Sequence, residues 1–275
     1  MKRAFQKRIF VIDVGNTSTA IGLFSGGRIL KRDRIATSIR EPTQLRAKAA
    51  KLMGVTKPNG VALSSVVPAV NRLWKETART LWRGVPMVSL NHHCKLDVPI
   101  TYPKPETIGA DRLANACEAA HRYGKPVIVA DFGTALTFDI VSRTKGYIGG
   151  IIAPGLALMF SYLAEKTALL PRVKPGPVRH FVGKSTVEAM RLGAVWGYRG
   201  LVREILKELT SRLGEKRVKL CATGGYADWV LRGSGIPMPV DPDLTLRGLG
   251  RIFELNHESY PKIYGGYEDS NRSAF

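Results

Sequence analysis

Cysteine is scarce in this 275-residue chain: Cys94, Cys117 and Cys221 are the only three, with no C-x-x-C spacing. An odd number so placed indicates neither a disulfide framework nor a zinc knuckle, and fits a reducing compartment. The adjacent His92, His93 and Cys94 have no second cluster to complete four ligands, and neighbouring ligands on one strand or loop rarely converge on one ion, so no metal site is expected there. Long apolar runs are missing too. None approaches the roughly 18 residues of a membrane span. The apolar stretch 9–12 is too short for the core of a signal peptide and runs straight into Asp13. A soluble cytoplasmic protein without membrane partners is the expectation. The G-x-x-x-x-G-K-[ST] run is absent, which excludes a P-loop nucleotidase. Zinc-finger spacing, an aromatic-basic RNA-binding pattern and a basic region feeding a heptad are absent as well.

Acid is in short supply: 22 Asp and Glu stand against 42 Lys and Arg, a formal net charge of +20. The basic residues are spread along the chain. They cluster only at Lys2, Arg3, Lys7 and Arg8 and again at Arg28, Lys31, Arg32 and Arg34. Such a charge welcomes anionic ligands without naming one, and its default reading is solvated surface with no specific nucleic-acid partner.

What is present is enough apolar residue, 44%, to bury a substantial core, and one unit written twice. An apolar run ends in an aspartate, turns through a glycine and re-emerges apolar, first around Asp13-Val14-Gly15-Asn16-Thr17 and again around Asp131-Phe132-Gly133-Thr134. Asp, Gly and Thr share their offsets in the two copies, which points to a duplicated supersecondary unit and a chain of two similar halves. A glycine-lined turn lets backbone N–H groups approach phosphate oxygens, while a carboxylate at the strand edge can hold a divalent cation or its waters. Two such turns, facing each other, would grip one nucleotide. The alternative for each is an Asx-turn in an ordinary hairpin.

Strands are expected at 9–12 and 20–24, a hairpin into 28–35, a helix over 43–53, a buried strand over 60–67 and a helix over 68–81. An extended linker follows at 96–102. Residues 111–123 read as a helix flanked by Gly109 and Gly124. Three more strands follow at 127–130, 136–141 and 146–152. Ser185 with Glu188 forms a capping box for a long helix reaching about residue 209, and a strand at 218–221 precedes Thr223-Gly224-Gly225. Together with the two aspartate turns, that third glycine-rich turn completes the pattern of the actin-like ATPase superfamily. Gly109-Ala110-Asp111-Arg112 sets a carboxylate beside a guanidinium at a helix N-terminus: either a proton acceptor for a substrate hydroxyl beside an anion site, or an aspartate stabilised by the helix dipole and paired with arginine.

These motifs, with Ser64-Ser65-Val66-Val67-Pro68, Gly149-Gly150-Ile151-Ile152-Ala153-Pro154-Gly155, Gly183-Lys184-Ser185-Thr186 and Asp243-Leu244-Thr245-Leu246-Arg247-Gly248-Leu249, occur in the order found in type III pantothenate kinases, and the chain resembles that family over residues 9–255. The resemblance implies an α/β fold of two ribonuclease H-like halves, mixed five-stranded sheets flanked by helices with ATP in the cleft between them. It implies transfer of the ATP γ-phosphoryl group to pantothenate, the first step of coenzyme A synthesis. Asp13, Val14, Gly15, Asn16, Thr17, Ser18, Thr19 and Ala20, with Thr134, would contact ATP. Tyr102, Gly109, Ala110, Asp111, Arg112 and Thr186 would contact pantothenate, with Asp111 as the proton acceptor. Asp131 would bind a monovalent cation, K⁺ or NH₄⁺, beside a divalent Mg²⁺ carried with ATP. A homodimer is implied.

Two departures stand beside these ligands: Lys104 where an asparagine is usual and Leu136 where a threonine is common. The expected organisation is a basic extension over 1–8, halves at 9–110 and 111–257, and a disordered tail over 258–275. The competing reading is a regulatory or nucleic-acid-associated protein of the same fold, against which retention of Asp13, Asp111 and Asp131 argues.

Overall fold

The structure is a computed structural model, described here for residues 7–257; the tail expected over 258–275 and the first six residues of the basic extension lie outside them. The chain forms two compact units. Among the described residues, one comprises 7–95 together with 249–257, and the other runs from Leu96 to Gly248.

In the first unit β1 (Ile9–Val14), β2 (Ser18–Ser25) and β3 (Arg28–Ala36) make an antiparallel meander. After α1 (Pro42–Met53), β4 (Gly60–Ser65) pairs parallel with β1. After α2 (Pro68–Leu81), β5 (Met87–Ser89) pairs parallel with β4, giving the order β3-β2-β1-β4-β5. Alternate residues of β1 face opposite sides. Phe10, Ile12 and Val14 meet Leu45, Ala49 and Trp74 of the two helices in one apolar cluster. The edge strand β3 exposes Arg28, Lys31, Arg32 and Arg34, charges that discourage pairing with another sheet.

The second unit repeats the plan. Helix α3 (Ala110–Tyr123) precedes the antiparallel strands β6 (Val127–Phe132), β7 (Ala135–Ser142) and β8 (Gly146–Pro154). Then come α4 (Leu156–Lys166), α5 (Thr186–Arg212), β9 (Lys219–Thr223), α6 (Ala227–Leu231) and α7 (Leu244–Asn256). The sheet has four strands, β8-β7-β6-β9, where five were expected. A single parallel bridge from Val240 to Ala222 stands beside β9 in place of the fifth strand, because Pro237 and Pro239 flank Met238 and deny that segment a continuous ladder of donors. Side chains at 128, 130 and 132 of β6 and at 136, 138 and 140 of β7 enter a core with Tyr198 and Val202 of α5. The intervening residues, Asp131 and Asp139 among them, face the side on which α3 packs.

The unit boundary lies at Leu96, ahead of the division at 110 expected from sequence. The segment expected as a linker is tied to the second sheet: Ile100 bridges to Tyr147, and the Thr101 N–H donates to the Tyr147 carbonyl at 3.0 Å. Helix α7 carries the other difference, since its last residues belong to the first unit. There the Phe253 ring lies against Gly60, so close that a Cβ at residue 60 would overlap it.

Candidate active site

The first aspartate turn is held from outside itself. The Thr37 hydroxyl donates to the Gly15 carbonyl at 2.7 Å and lies 3.0 Å from the Thr19 hydroxyl, while the Thr37 N–H donates to the Thr17 carbonyl at 3.1 Å. The Gly15 N–H closes the turn on the Ser18 carbonyl. Asn16 and Thr17 are left exposed at its tip, Val14 and Thr19 are buried, and Asp13, Ser18 and Ala20 are half-buried. Thr37 has no counterpart in the motif and was not singled out from sequence. In the second unit the Gly133 N–H closes the equivalent turn on the Ala135 carbonyl at 3.1 Å and leaves Thr134 exposed.

Helix α3 starts at Ala110 with Gly109 as its cap residue, so Asp111 and Arg112 occupy the first turn. The carboxylate there lies in the field of unpaired N–H groups. Asp111 accepts the Arg112 N–H at 2.8 Å. Burial pushes its carboxyl above the ordinary range, against the pull of that N–H and of the Arg112 charge. The Arg112 side chain donates through Nε to Asp139 Oδ1 at 2.7 Å, and the Tyr147 hydroxyl reaches the same oxygen at 2.9 Å. Asp139 is fully buried, and burial pushes its carboxyl up to about 7 although Arg112 and Tyr147 pull it down. Burial works against the Arg112 charge, but Asp139 more than offsets it, so the guanidinium stays protonated. Tyr102 stands edge-on to Tyr147, ring centroids 6.3 Å apart. Tyr102, Asp111 and Arg112 are thus gathered at one end of α3. Thr186 is exposed at the first position of α5, just after Ser185, whose hydroxyl accepts the Glu188 N–H at 3.2 Å. Among the described residues no hydrogen bond joins Thr186 to that group.

Asp131 stands one residue before the end of β6, on the α3 side. Asn115, wholly buried on α3, donates to Asp131 Oδ2 at 3.0 Å and accepts the Thr245 hydroxyl from α7 at 2.8 Å. Gly224, at φ 94°, brings backbone so near that a Cβ there would lie 2.5 Å from Asp131 Oδ1. This carboxylate in a glycine cradle fits a cation bound by oxygen ligands. Asn115 and Thr245 were not singled out from sequence; a polar residue four positions after Asp111 on a helix otherwise rich in alanine was the available signal.

The sequence profile of type III pantothenate kinases matches residues 9–208. The chain belongs to the type III pantothenate kinase family. It is 46% identical over 246 residues to the type III pantothenate kinase of Akkermansia muciniphila, covering 90% of this chain and 98% of that one. It is 39% identical over 260 residues to that of Streptomyces coelicolor, again covering 90% and 98%. As a member of this family it is an ATP-binding phosphotransferase, a pantothenate kinase acting in coenzyme A biosynthesis. Solved structures share its fold at low identity. A ROK-family glucokinase from Streptomyces griseus matches with a TM-score of 0.52 at 16% identity, over 91% of this chain and 99% of that one. Component A of the (R)-2-hydroxyglutaryl-CoA dehydratase of Acidaminococcus fermentans matches with a TM-score of 0.53 at 12% identity, over 92% and 99%. Of the two departures from the pantothenate kinase pattern, Leu136 is fully buried in the core of the second unit and Lys104 is exposed. The leucine therefore changes packing under the second turn, where Thr134 remains exposed.

Proposed function

We propose that Asp111 accepts the proton of the pantothenate hydroxyl as it attacks the γ-phosphorus of ATP. The observation that carries this is the carboxylate in the first turn of α3, half-buried and held above its ordinary pKa, beside an arginine fixed by a buried carboxylate. A base so tuned is a better match to a hydroxyl at neutral pH than a solvated aspartate. Phosphoryl transfer asks little covalent chemistry of a protein, so alignment and charge neutralisation carry the rate. In this reading Tyr102, Gly109, Ala110 and Arg112, with Thr186, orient pantothenate, and Arg112 offers its guanidinium to the substrate's anionic end. Residues 13–20 and Thr134 contact ATP through the two glycine turns. Mg²⁺, bound with ATP, supplies charge neutralisation on the phosphates.

Asp131 is proposed as the ligand of the monovalent cation, K⁺ or NH₄⁺, supported by its cradle at Gly224 and its fixed orientation on Asn115. A homodimer is proposed, supported by large apolar side chains exposed on the second unit: Leu158 and Tyr162 of α4, Phe181 and Val182 before α5, and Trp196 on α5. The proposed location is the cytoplasm.

The purified protein with ATP, Mg²⁺ and K⁺ is expected to form ADP and 4′-phosphopantothenate in equal amounts, and ADP only when pantothenate is present. Coupled ADP detection with mass detection of the product checks this. Absence of both across metals and salts would remove the kinase reading. A KCl titration at constant ionic strength is expected to raise activity saturably in the wild type, and Asp131→Asn to weaken the half-saturating K⁺ concentration. A flat titration would remove Asp131 from the cation role.

A further inference from the structure

We propose that Asp139 and Tyr147 are positioning residues, which hold the Arg112 guanidinium in the orientation that receives the substrate's anionic group. The inference rests on the reading that Arg112 contacts pantothenate.

Three observations carry it. The first is the form of the ion pair. Arg112 and Asp139 are joined through Nε and Oδ1 alone, at 2.7 Å. Arginine–carboxylate pairs are frequently two-bond forks that occupy both carboxylate oxygens. Here Arg112 Nη2 is buried with no partner among the described residues, and so is Asp139 Oδ2. A buried donor without an acceptor is costly, and the single-bond pair leaves the 16% of the Arg112 side chain that is exposed to meet an anionic ligand.

The second is the fixed carboxylate. Asp139 sits at the middle of β7, its backbone in register between Val129 of β6 and Gly150 of β8. Its side chain is wholly buried, and Tyr147, itself 1% exposed, bonds to the same oxygen that receives Arg112. Oδ1 therefore stays in place with or without a ligand, and the guanidinium plane follows it.

The third is the room made for these side chains. A Cβ at Gly150 would lie 2.5 Å from Arg112 Nη2 and overlap the Phe138 carbonyl. One at Gly149 would lie 3.2 Å from the Tyr102 ring. The glycine pair of the β8 motif, with no assigned role until now, leaves space for Arg112 and Tyr102 in succession. The arrangement is a floor of Asp139, Tyr147, Gly149 and Gly150 beneath two residues proposed to touch pantothenate. The charged groups that face Asp139 are Arg112 and Asp111, and Tyr147 is the other titratable neighbour.

The test is steady-state kinetics on the full chain with both substrates varied. Asp139→Asn is expected to raise the KM for pantothenate roughly tenfold or more, the loss of one charge-assisted hydrogen bond's worth of orientation, with the KM for ATP within about twofold of wild type. Tyr147→Phe, which keeps the ring in the core, is expected to shift the same parameter in the same direction by less. It decides the matter if Asp139→Asn fails to fold. In an Arg112→Lys background either substitution is expected to have little further effect, since both act through the guanidinium. If Arg112→Lys leaves the pantothenate KM unchanged, the reading that Arg112 meets the substrate fails, and the proposal with it. If Arg112→Lys raises that KM while a folded Asp139→Asn and Tyr147→Phe do not, the positioning role alone is overturned. Equal rises for ATP and pantothenate would also overturn it, marking a general structural role.

Discussion

Replacing Asp111 by asparagine is expected to lower turnover by about 10²–10⁴ while leaving thermal stability and ATP affinity close to wild type. Asparagine keeps the size of the side chain and can still accept the Arg112 N–H, so the first turn of α3 has no reason to move. What it loses is the capacity to take a proton. The pH dependence gives the same residue a second readout. Because burial raises the Asp111 pKa, the carboxylate is protonated over a wider acid range than a solvated aspartate. Activity of the wild type is expected to fall on the acid side through a pKa above the ordinary 3.8. That acid limb is expected to vanish from the residual activity of Asp111→Asn. Near-normal turnover would assign the proton to another acceptor, whereas an acid limb near 7 that survives the substitution would belong to Asp139.

Arg247→Met is expected to cost about 3–5 kcal/mol of stability, the range for breaking a buried ion pair from one side. At roughly 2–4 °C per kcal/mol for chains of this size, that lowers the melting temperature by about 6–20 °C. Arg247 donates through Nε to Glu118 at 3.0 Å and through Nη2 to Asp241, and all three side chains are buried. Methionine fills much of the same volume but removes the buried cation between two carboxylates, leaving Asp241 with Arg122 at 3.7 Å and the Tyr123 hydroxyl at 3.3 Å. Adding Glu118→Gln to Arg247→Met removes one stranded charge and is expected to recover part of the loss. Thermal unfolding of the two variants separates the causes, because a loss due to packing alone would show no recovery. Glu118 lies on α3, one turn beyond Asn115. The network therefore anchors the helix that presents Asp111, and a fall in activity should accompany the fall in stability.

The aspartate turns, the helix behind Gly109 and the meanders were readable from the chain because each rests on local chemistry. Near-continuous apolar runs make Ile9–Val14 and Val127–Phe132 buried strands, and glycine makes the turns that follow. Helix α7 was not read as a helix, since Gly248 and Gly250 lower its propensity; packing of Leu249, Ile252 and Phe253 into buried positions overrides that weakness. The short β5 and the helix α4 were also missed. Three residues carry too little periodicity to register, and Leu156–Lys166 is apolar on too many faces to show a stripe. For the site, the residues that would touch ligands stand in compact motifs. Most of those that hold them do not, Thr245 in the Asp243–Leu249 motif being the exception. Asp139, Tyr147, Asn115, Thr245 and Thr37 reach their partners across strands and helices, and only the folded sheet brings them within hydrogen-bonding distance.

The return of the last helix to the first unit bears on how this chain is made. A ribosome extends a chain by about 5–20 residues each second, and domains ordinarily fold in the order in which they emerge. Here the contiguous unit, Leu96 to Gly248, has all its residues once Gly248 is out. The earlier-made unit is still lacking Phe253, which covers Gly60, and Asn256, whose side chain bonds both the N–H and the carbonyl of Lys95. The half that is synthesised first is therefore the half that finishes last, and a chain stopped shortly before residue 253 would carry a complete second unit beside an unfinished first one.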